Sequence, residues 1–187
     1  SLLMLVGVSL PTVAASVGEL SGRALVSHGK SGYQVDLQLP SGVNDLVPAL
    51  SVQYQQGSAN GPLGLGMTLN GLSSITRCSR NKQDDGINSG MRFDDTDVYC
   101  LDGQRLFLVS GSEGQGGSEY RTKGGWHTKI VANGQLSSGP ESWTIYSSDG
   151  YVTRYGSRED AQLTIDGHGL EWFISRQSDR FEHGIDF

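Results

Sequence analysis

The segment of the chain richest in chemically active side chains is MRFDDTDVYCLDG, at residues 91–103. Its carboxylates, with two more from the loop just upstream, are Asp84, Asp85, Asp94, Asp95, Asp97 and Asp102. Carboxylate oxygens are the ligands that Ca²⁺ prefers, but this spacing does not match an EF-hand loop. Aspartates beside turns commonly accept hydrogen bonds from nearby backbone. We therefore favour turn acceptors and solvated charges, and calcium binding stays open as the alternative.

The sequence contains serines, cysteines and histidines that could act as nucleophiles or bases, but their spacing matches no known catalytic motif. No GxSxG turn occurs, and the histidines are scattered as His28, His127, His168 and His183. The glycine-rich NGPLGLG at 60–66 lacks the lysine of a phosphate-binding loop, and a strand pattern follows it where a helix is needed. The sequence therefore predicts a non-enzymatic protein with no catalytic residue, no metal site and no cofactor. A hydrolase whose paired carboxylates meet only in the folded chain is the catalytic alternative.

Aromatic residues are concentrated in the second half of the chain. They are Trp126, Trp143, Tyr146, Tyr151, Tyr155, Trp172 and Phe173. Such side chains can form a face on which sugars stack, but in β-rich proteins they more often pack across strands. Packing is the favoured interpretation, and a secreted carbohydrate-binding or adhesive β module is the alternative function.

The chain contains two cysteines, Cys78 and Cys100. In an exported protein an even cysteine count favours a disulfide, and closing a loop of this size contributes about 3 kcal/mol. Two free buried thiols are the other possibility. Neither cysteine has a CxxC partner or a nearby histidine, which argues against a metal site.

The bulk composition excludes several classes of partner. The formal net charge is −6, and the sequence shows no basic stripe of the kind that nucleic acid or anionic lipid would require. Residues 1–16, SLLMLVGVSLPTVAAS, combine a short apolar run with small residues before a cleavage-like position. We predict a signal-peptide remnant there, a secreted protein, and a β domain over 17–187. The apolar run is too short to span a bilayer as a helix.

Strand patterns dominate the elements that must position these residues. Polar and apolar residues alternate in SGYQVDLQLP, ESWTIYSSDG, YVTRYG and LEWFISRQSD, among others, and no segment predicts a convincing amphipathic helix. The chain holds 27 glycines in 187 residues, about twice the usual ~7%. Asp-Gly and Asn-Gly pairs separate the strands and suit tight hairpin turns. We predict an all-β fold, an antiparallel meander of short strands and hairpins, with longer loops at 79–90 and 109–119, of which the second is Gly/Ser-rich and mobile.

Several of these motifs occur in an order that resembles a known family. The segment from GYQVDLQLP to SSITR is similar to the start of the Salmonella virulence-plasmid B protein (SpvB) family, shared with the B component of insecticidal toxin complexes. The matching positions are Tyr33, Pro40, Gly42, Pro48, Tyr54, Asn60, Gly61, Gly64, Gly66, Ile75 and Arg77. Similarity extends over roughly residues 25–187. Met67 departs from the tryptophan usual in the family, and the ending DRFEHGIDF departs from its glycine-asparagine turn.

The resemblance implies structure and no chemistry. It implies the opening part of a larger β-shell, built with RHS/YD-repeat strands, that encloses a toxic C-terminal segment, and hence an incomplete fragment of a longer chain. No family catalytic residue has a counterpart here. We expect a scaffold that encloses, translocates or docks a separate effector, with the rest of the same chain and toxin-complex subunits as partners. The resembling residues are expected to set turns and register.

Overall fold

The computed structural model describes residues 21–27, 29–39, 47–61, 63–125 and 127–187. The chain divides into two compact units. The first contains Ser1–Leu37 and Ser51–Thr68, and the second contains Gln38–Leu50 and Leu69–Phe187.

The first unit is built on a four-stranded antiparallel sheet whose last strand reaches the unit boundary. Its strands are β1 (Gly22–Ser27), β2 (Lys30–Asp36), β3 (Ser51–Gln55) and β6 (Met67–Asn70), in the order β1-β2-β3-β6. Between β3 and β6, β4 (Asn60–Gly61) and β5 (Gly64–Leu65) form a small hairpin. The alternating pattern of residues 31–40 predicts a longer strand than the one observed, because β2 ends at Asp36.

The second unit contains the strands of the Trp-rich half of the chain. They are β7 (Ser74–Cys78), β8 (Val98–Leu101), β9 (Gln104–Ser110), β10 (Glu119–Thr122), β11 (Lys129–Asn133), β12 (Ser142–Tyr146), β13 (Val152–Tyr155), β14 (Gln162–Ile165), β15 (His168–Ser178) and β16 (Gly184–Asp186). From β7 to β13 each strand pairs antiparallel with the next along the chain. This is the predicted meander.

The long strand β15 closes that meander into a barrel. Its residues Glu171–Phe173 pair with β7, and its residues Ile174–Ser178 pair with β13. Because β7 and β13 are the two ends of the meander, strands β7 to β13 and β15 form a closed eight-stranded ring, while β14 and β16 extend beside β15. Closure removes the unpaired edges that an open sheet presents.

The barrel interior is filled by side chains from alternate strand positions. Fully buried residues include Ile75, Leu106, Ile130, Ala132, Trp143 and Trp172. Four aromatic rings interlock in the centre with edge-to-face geometry, which their quadrupoles favour. Centroid distances are 4.9 Å for Tyr99–Trp143, 5.3 Å for Tyr120–Trp143 and 5.8 Å for Trp143–Trp172. The barrel is therefore a packed body rather than a pore.

Two loop predictions differ from the structure. Residues 79–90, expected to be an open loop, contain the short helix α1 (Lys82–Asp85), because the Asn81 side chain caps its start and Gly86 ends it at φ 73°. The Gly/Ser-rich segment expected to be mobile is folded into packed turns, since the Gly114 N–H donates to the Tyr120 hydroxyl and Ser118 is 2% exposed. A further short 3₁₀ turn covers Glu159–Ala161.

The four Asp-Gly pairs have three different structures. Asp102-Gly103 and Asp166-Gly167 are tight hairpin turns with φ of 48° and 77°, and of 51° and 78°, as predicted. Asp149-Gly150 joins β12 to β13 through a longer loop in which only Gly150 is left-handed. Asp85-Gly86 is the end of α1. Within the described residues, no helix is long and apolar enough to cross a bilayer.

Candidate functional site at the loop end of the barrel

Four connections meet at one end of the barrel. In an antiparallel meander alternate connections share an end, so the segments 79–97, 111–118, 134–141 and 156–167 lie together, and we call this the loop end. A recess of about 270 Å³ opens there. Residues from all these segments or their immediate neighbours line it, including Phe93, Asp94, Glu113, Gln135, Ser138 and His168.

Arg77, at the end of β7, ties the loop end together. Its side chain is fully buried, and all five of its N–H groups have acceptors. Nε donates to the Gly169 carbonyl at 3.0 Å, Nη1 donates to the Asp94 carbonyl and to Asp97, and Nη2 donates to the Ser138 carbonyl and hydroxyl. One guanidinium therefore joins two of the connections to the start of β15.

Asp97 is the counter-ion of Arg77. Its Oδ2 lies 3.0 Å from Nη1, and the exposed fractions of the two side chains are 0% and 3%. The same carboxylate accepts from the backbone N–H groups of Arg92 and Phe93. Two buried charges are tolerated because each is hydrogen-bonded on several sides.

Aromatic rings and a glycine complete the surroundings of this ion pair. The guanidinium lies 5.5 Å from the Phe93 ring centroid and 5.4 Å from that of Tyr99. Gly139 passes so close that a Cβ there would lie 2.6 Å from both Arg77 Nη2 and the Tyr99 hydroxyl, and its φ is +87°. Only glycine fits this position.

Ser138 and His168 form a hydroxyl–imidazole pair in the recess. Their Oγ and Nδ1 atoms are 2.7 Å apart, and the imidazole lies 5.7 Å from the Phe93 ring. A serine beside a histidine is the beginning of an activated nucleophile. Within the described residues, however, no carboxylate contacts His168, and Arg77 already donates to the Ser138 hydroxyl. The contacts of Ser138 are those of a loop anchor.

Glu113 lines the same recess, and one of its carboxylate oxygens, Oε1, is buried and has no hydrogen-bond partner among the described residues. Burial raises the pKa of this carboxyl group, and the charges of Arg105 and Arg80 oppose the shift only in part. Burial also raises the pKa of Tyr99 to about 12 and that of Tyr155 to about 12, and it raises the pKa of Tyr120. These tyrosines are neutral packing groups at physiological pH.

Five of the six aspartates singled out as candidate calcium ligands, all except Asp95, already have hydrogen-bond or ion-pair partners. Asp94 accepts from the Thr96 N–H and hydroxyl, and Asp102 accepts from the Ser73 hydroxyl and the Ser74 N–H. Asp85 pairs with Arg105 at 3.0 Å, and the Asp84 carboxylate accepts from the side-chain amide of Asn81. Their geometry is that of turn acceptors and ion pairs, and the described residues contain no group of three potential metal ligands.

Cys78 and Cys100 form a disulfide with an S–S distance of 2.07 Å. In the β7–β8 register Cys78 faces Val98 and Cys100 faces Thr76, so the bond joins diagonal positions of neighbouring strands. It crosslinks β8 to β7, one of the two strands that pair with β15 at the closure of the barrel.

Three of the aromatics considered for a sugar-stacking face are buried in the barrel. Trp143 and Trp172 are 0% exposed and belong to the core, and Tyr155 is 4% exposed. Trp126 lies outside the described residues. The favoured interpretation of these aromatics as packing groups is correct for the three that are buried.

The remaining motif residues lie outside the barrel. Tyr33 and Tyr54 face each other across β2 and β3. Gly61 pairs with Gly64, and Gly66, at φ 69°, approaches the Gln55 carbonyl so closely that a Cβ would lie 2.9 Å from it. Pro48 is half-buried and accepts a hydrogen bond from the Leu50 N–H. Pro40 and Gly42 lie outside the described residues, as do residues 1–16.

The family resemblance singled out Arg77, and the sequence analysis named Asp97 and His168 separately, but nothing in the sequence brought these residues together or pointed to Glu113, Ser138 and Gly139. Asp97, Glu113, Ser138, Gly139 and His168 belong to different connections and share no spacing that a pattern search detects. The available signal was a single arginine within an alternating strand, since a charge at an inward position needs a partner.

The sequence matches the family described as Salmonella virulence plasmid 65kDa B protein, SpvB, over residues 26–185. The chain belongs to this family. A search of curated proteins returned no match.

Solved structures share the fold of this SpvB-family chain. The crystal structure of TcdB2-TccC3 has a TM-score of 0.65 at 19% identity, over 95% of this chain and 9% of the other. The N-terminal domain of the effector protein SpvB from Salmonella typhimurium strain LT2 has a TM-score of 0.55 at 20% identity, over 78% of this chain and 50% of that one. The chain thus spans a small part of the TcdB2-TccC3 chain.

Proposed function

We propose that this SpvB-family chain is a non-catalytic structural part of a secreted toxin or virulence protein. It would help to enclose, translocate or dock an effector that resides elsewhere in a longer chain or in partner subunits. Residues 17–187 would form its β domain, and residues 1–16 would be the remnant of its export signal. Family membership and the fold shared with TcdB2-TccC3 support this role.

The observation that carries the proposal is the filled barrel. Its interior is occupied by interlocking aromatic rings, and its loop end is fastened by the buried Arg77–Asp97 pair. A body packed in this way has no room for cargo and changes shape only at high cost, because interiors are close-packed. A rigid domain of this kind is suited to form part of an enclosing shell or to bind another protein.

The test uses the full-length product of the reading frame that contains these residues. Limited proteolysis followed by mass spectrometry would map which downstream segment is protected. Arg77→Met, which leaves Asp97 buried without its partner, should expose that segment, whereas Arg92→Met, at an exposed arginine, should leave its protection unchanged.

A parallel assay addresses the alternatives. Ester, peptide and glycoside hydrolysis and glycan-array binding would be measured for the parent chain and for Ser138→Ala and His168→Ala. We expect neither turnover nor glycan binding in any of them. Turnover that depends on Ser138 and His168, or an effector segment equally protected in Arg77→Met, would contradict the scaffold role.

A further inference from the structure

The outer surface of the barrel carries a pair of like charges in direct opposition. Arg154 on β13 faces Arg176 on β15 in the antiparallel register. Like charges at directly opposite positions destabilise a sheet. Arg176 is partly compensated by Asp186, 3.0 Å away, whereas Arg154 makes no side-chain hydrogen bond or ion pair within the described part of the chain.

Arg154, Arg176 and a third arginine, Arg180, line a pocket of about 370 Å³. The pocket is also lined by Tyr146, Val152, Ser178, Asp179 and Glu182. Asp179 is turned towards its own loop, where it accepts from the Phe181 and His183 N–H groups. The lining thus combines three arginines with two carboxylates, those of Asp179 and Glu182. In a chain of net charge −6, this lining has a small net positive charge.

Exposed aromatic side chains line this pocket and the adjoining depression. Tyr146 is 45% exposed and Phe181 is 65% exposed, and Phe181 lines the adjoining depression with Tyr151 and Arg180. Arginine with tyrosine and other aromatics is the composition found at the centres of protein–protein interfaces. Guanidinium groups hold carboxylates through directed, charge-assisted hydrogen bonds.

We propose that this surface, the arginine pocket, binds an acidic peptide segment of a partner protein, with a Glu or Asp carboxylate seated between Arg154 and Arg176. The role as a docking site rests on the proposed scaffold function; the binding chemistry rests on the pocket alone. A polyanion such as nucleic acid is disfavoured because the chain as a whole is acidic. The open, aromatic-flanked shape suits an extended peptide better than a small ion.

Fluorescence anisotropy with a labelled hexaglutamate peptide tests the proposal on the 187-residue chain. Binding should weaken at least tenfold in Arg154→Gln, should strengthen in Glu182→Gln, and should be unchanged in Arg92→Gln, an exposed arginine at the opposite end of the barrel. A hexaglutamine peptide of equal length should not bind. Equal losses in Arg154→Gln and Arg92→Gln, or no loss in either, would overturn the proposal.

Competition separates the peptide from other anions. Unlabelled hexaglutamate should displace the probe, whereas inorganic phosphate and single-stranded oligonucleotide at equal charge concentration should not. Displacement by either of these would show a general anion or nucleic-acid site and would reject the acidic-peptide assignment.

Thermal unfolding of the unliganded chain supplies a second readout. Arg154→Gln removes the repulsion between Arg154 and Arg176, so its unfolding midpoint should be higher than that of the parent. Added hexaglutamate should raise the unfolding midpoint of the parent but not that of Arg154→Gln. A midpoint lowered in Arg154→Gln would show that Arg154 serves stability and not binding. Loss of binding alone leaves the scaffold proposal intact, because protease protection of a downstream segment is measured independently.

Discussion

At the scale of single residues, the Arg77–Asp97 pair carries the largest energetic consequence. Removing one member of a buried ion pair leaves the other charged, buried and unpaired, which typically costs about 3–5 kcal/mol. Five donors on Arg77 and three donors to Asp97 make this pair a junction of the connections at the loop end. Its structural role thus extends well beyond the strand that bears it.

We expect Arg77→Met to lower the free energy of unfolding by about 3–5 kcal/mol. Arg77→Lys should recover only part of the loss, because an ammonium group cannot reproduce the planar fork of donors. Urea titration followed by tryptophan fluorescence measures both, with Arg92→Met as the matched exposed control. An effect of Arg77→Met no larger than that of the control would show that the pair is dispensable.

Glu113 gives a second residue-scale prediction, through pH. Its pKa in the folded chain is raised above the usual 4.5, so ionisation opposes folding and its contribution to stability falls as pH rises through the folded pKa. Glu113→Gln should therefore be more stable than the parent at pH 7, and the difference should shrink as the pH falls below 4.5, where the carboxyl becomes protonated in both states. Thermal midpoints at pH 7 and pH 4 measure this, and a difference that grows in acid would contradict it.

At the scale of elements, two neighbouring glycines separate conformational strain from steric contact. Gly64 and Gly66 both have positive φ, 119° and 69°, but a Cβ at Gly64 would meet nothing within 4 Å. At Gly66 it would lie 2.9 Å from the Gln55 carbonyl and 3.1 Å from the Tyr54 ring. The glycine at 66 is thus required by both backbone conformation and packing.

We expect Gly66→Ala to destabilise the β3–β6 region more than Gly64→Ala, since only the former adds a clash to the strain. Hydrogen exchange of the β2 and β3 amides measures it directly. Both variants are also expected to differ little from the parent in β8 and β9, which serve as the internal control. Equal exchange in the two variants would mean that positive φ alone governs the site.

The individual strands and turns could largely be predicted from the sequence, whereas the closure of the strands into a barrel could not. Alternating residues such as those of β12 and β15, and the Asp166-Gly167 turn, predict strands and a hairpin from local chemistry alone. The pairing of β15 with β7 depends on which distant edges meet, and period-two alternation identifies a buried face without identifying a neighbour. For the same reason Ser138 and His168 could not be brought together from sequence, although Arg77 could be singled out.

At the scale of the whole molecule, burial is divided unequally between the two units. Every hydrophobic side chain that is fully buried among the described residues lies between Ile75 and Trp172, and none belongs to β1, β2, β3 or β6. Those strands expose Val26 at 82%, Tyr33 at 43% and Tyr54 at 44%. Sheets gain stability chiefly by burying an apolar face, so the four-stranded sheet should open at a lower free energy than the barrel.

Trypsin cleavage should follow this difference. Sites within the four-stranded sheet, at Arg23 and Lys30, should be cut well before the barrel-strand sites at Lys129, Arg154 and Arg176, because cleavage requires local opening. Time-resolved mass spectrometry gives the order, and the same digestion in concentrated urea, where all sites should be cut at similar rates, controls for intrinsic preference. Simultaneous cleavage under native conditions would mean that the two units open as one cooperative body, so that the packed core of the barrel also governs the stability of the four-stranded sheet.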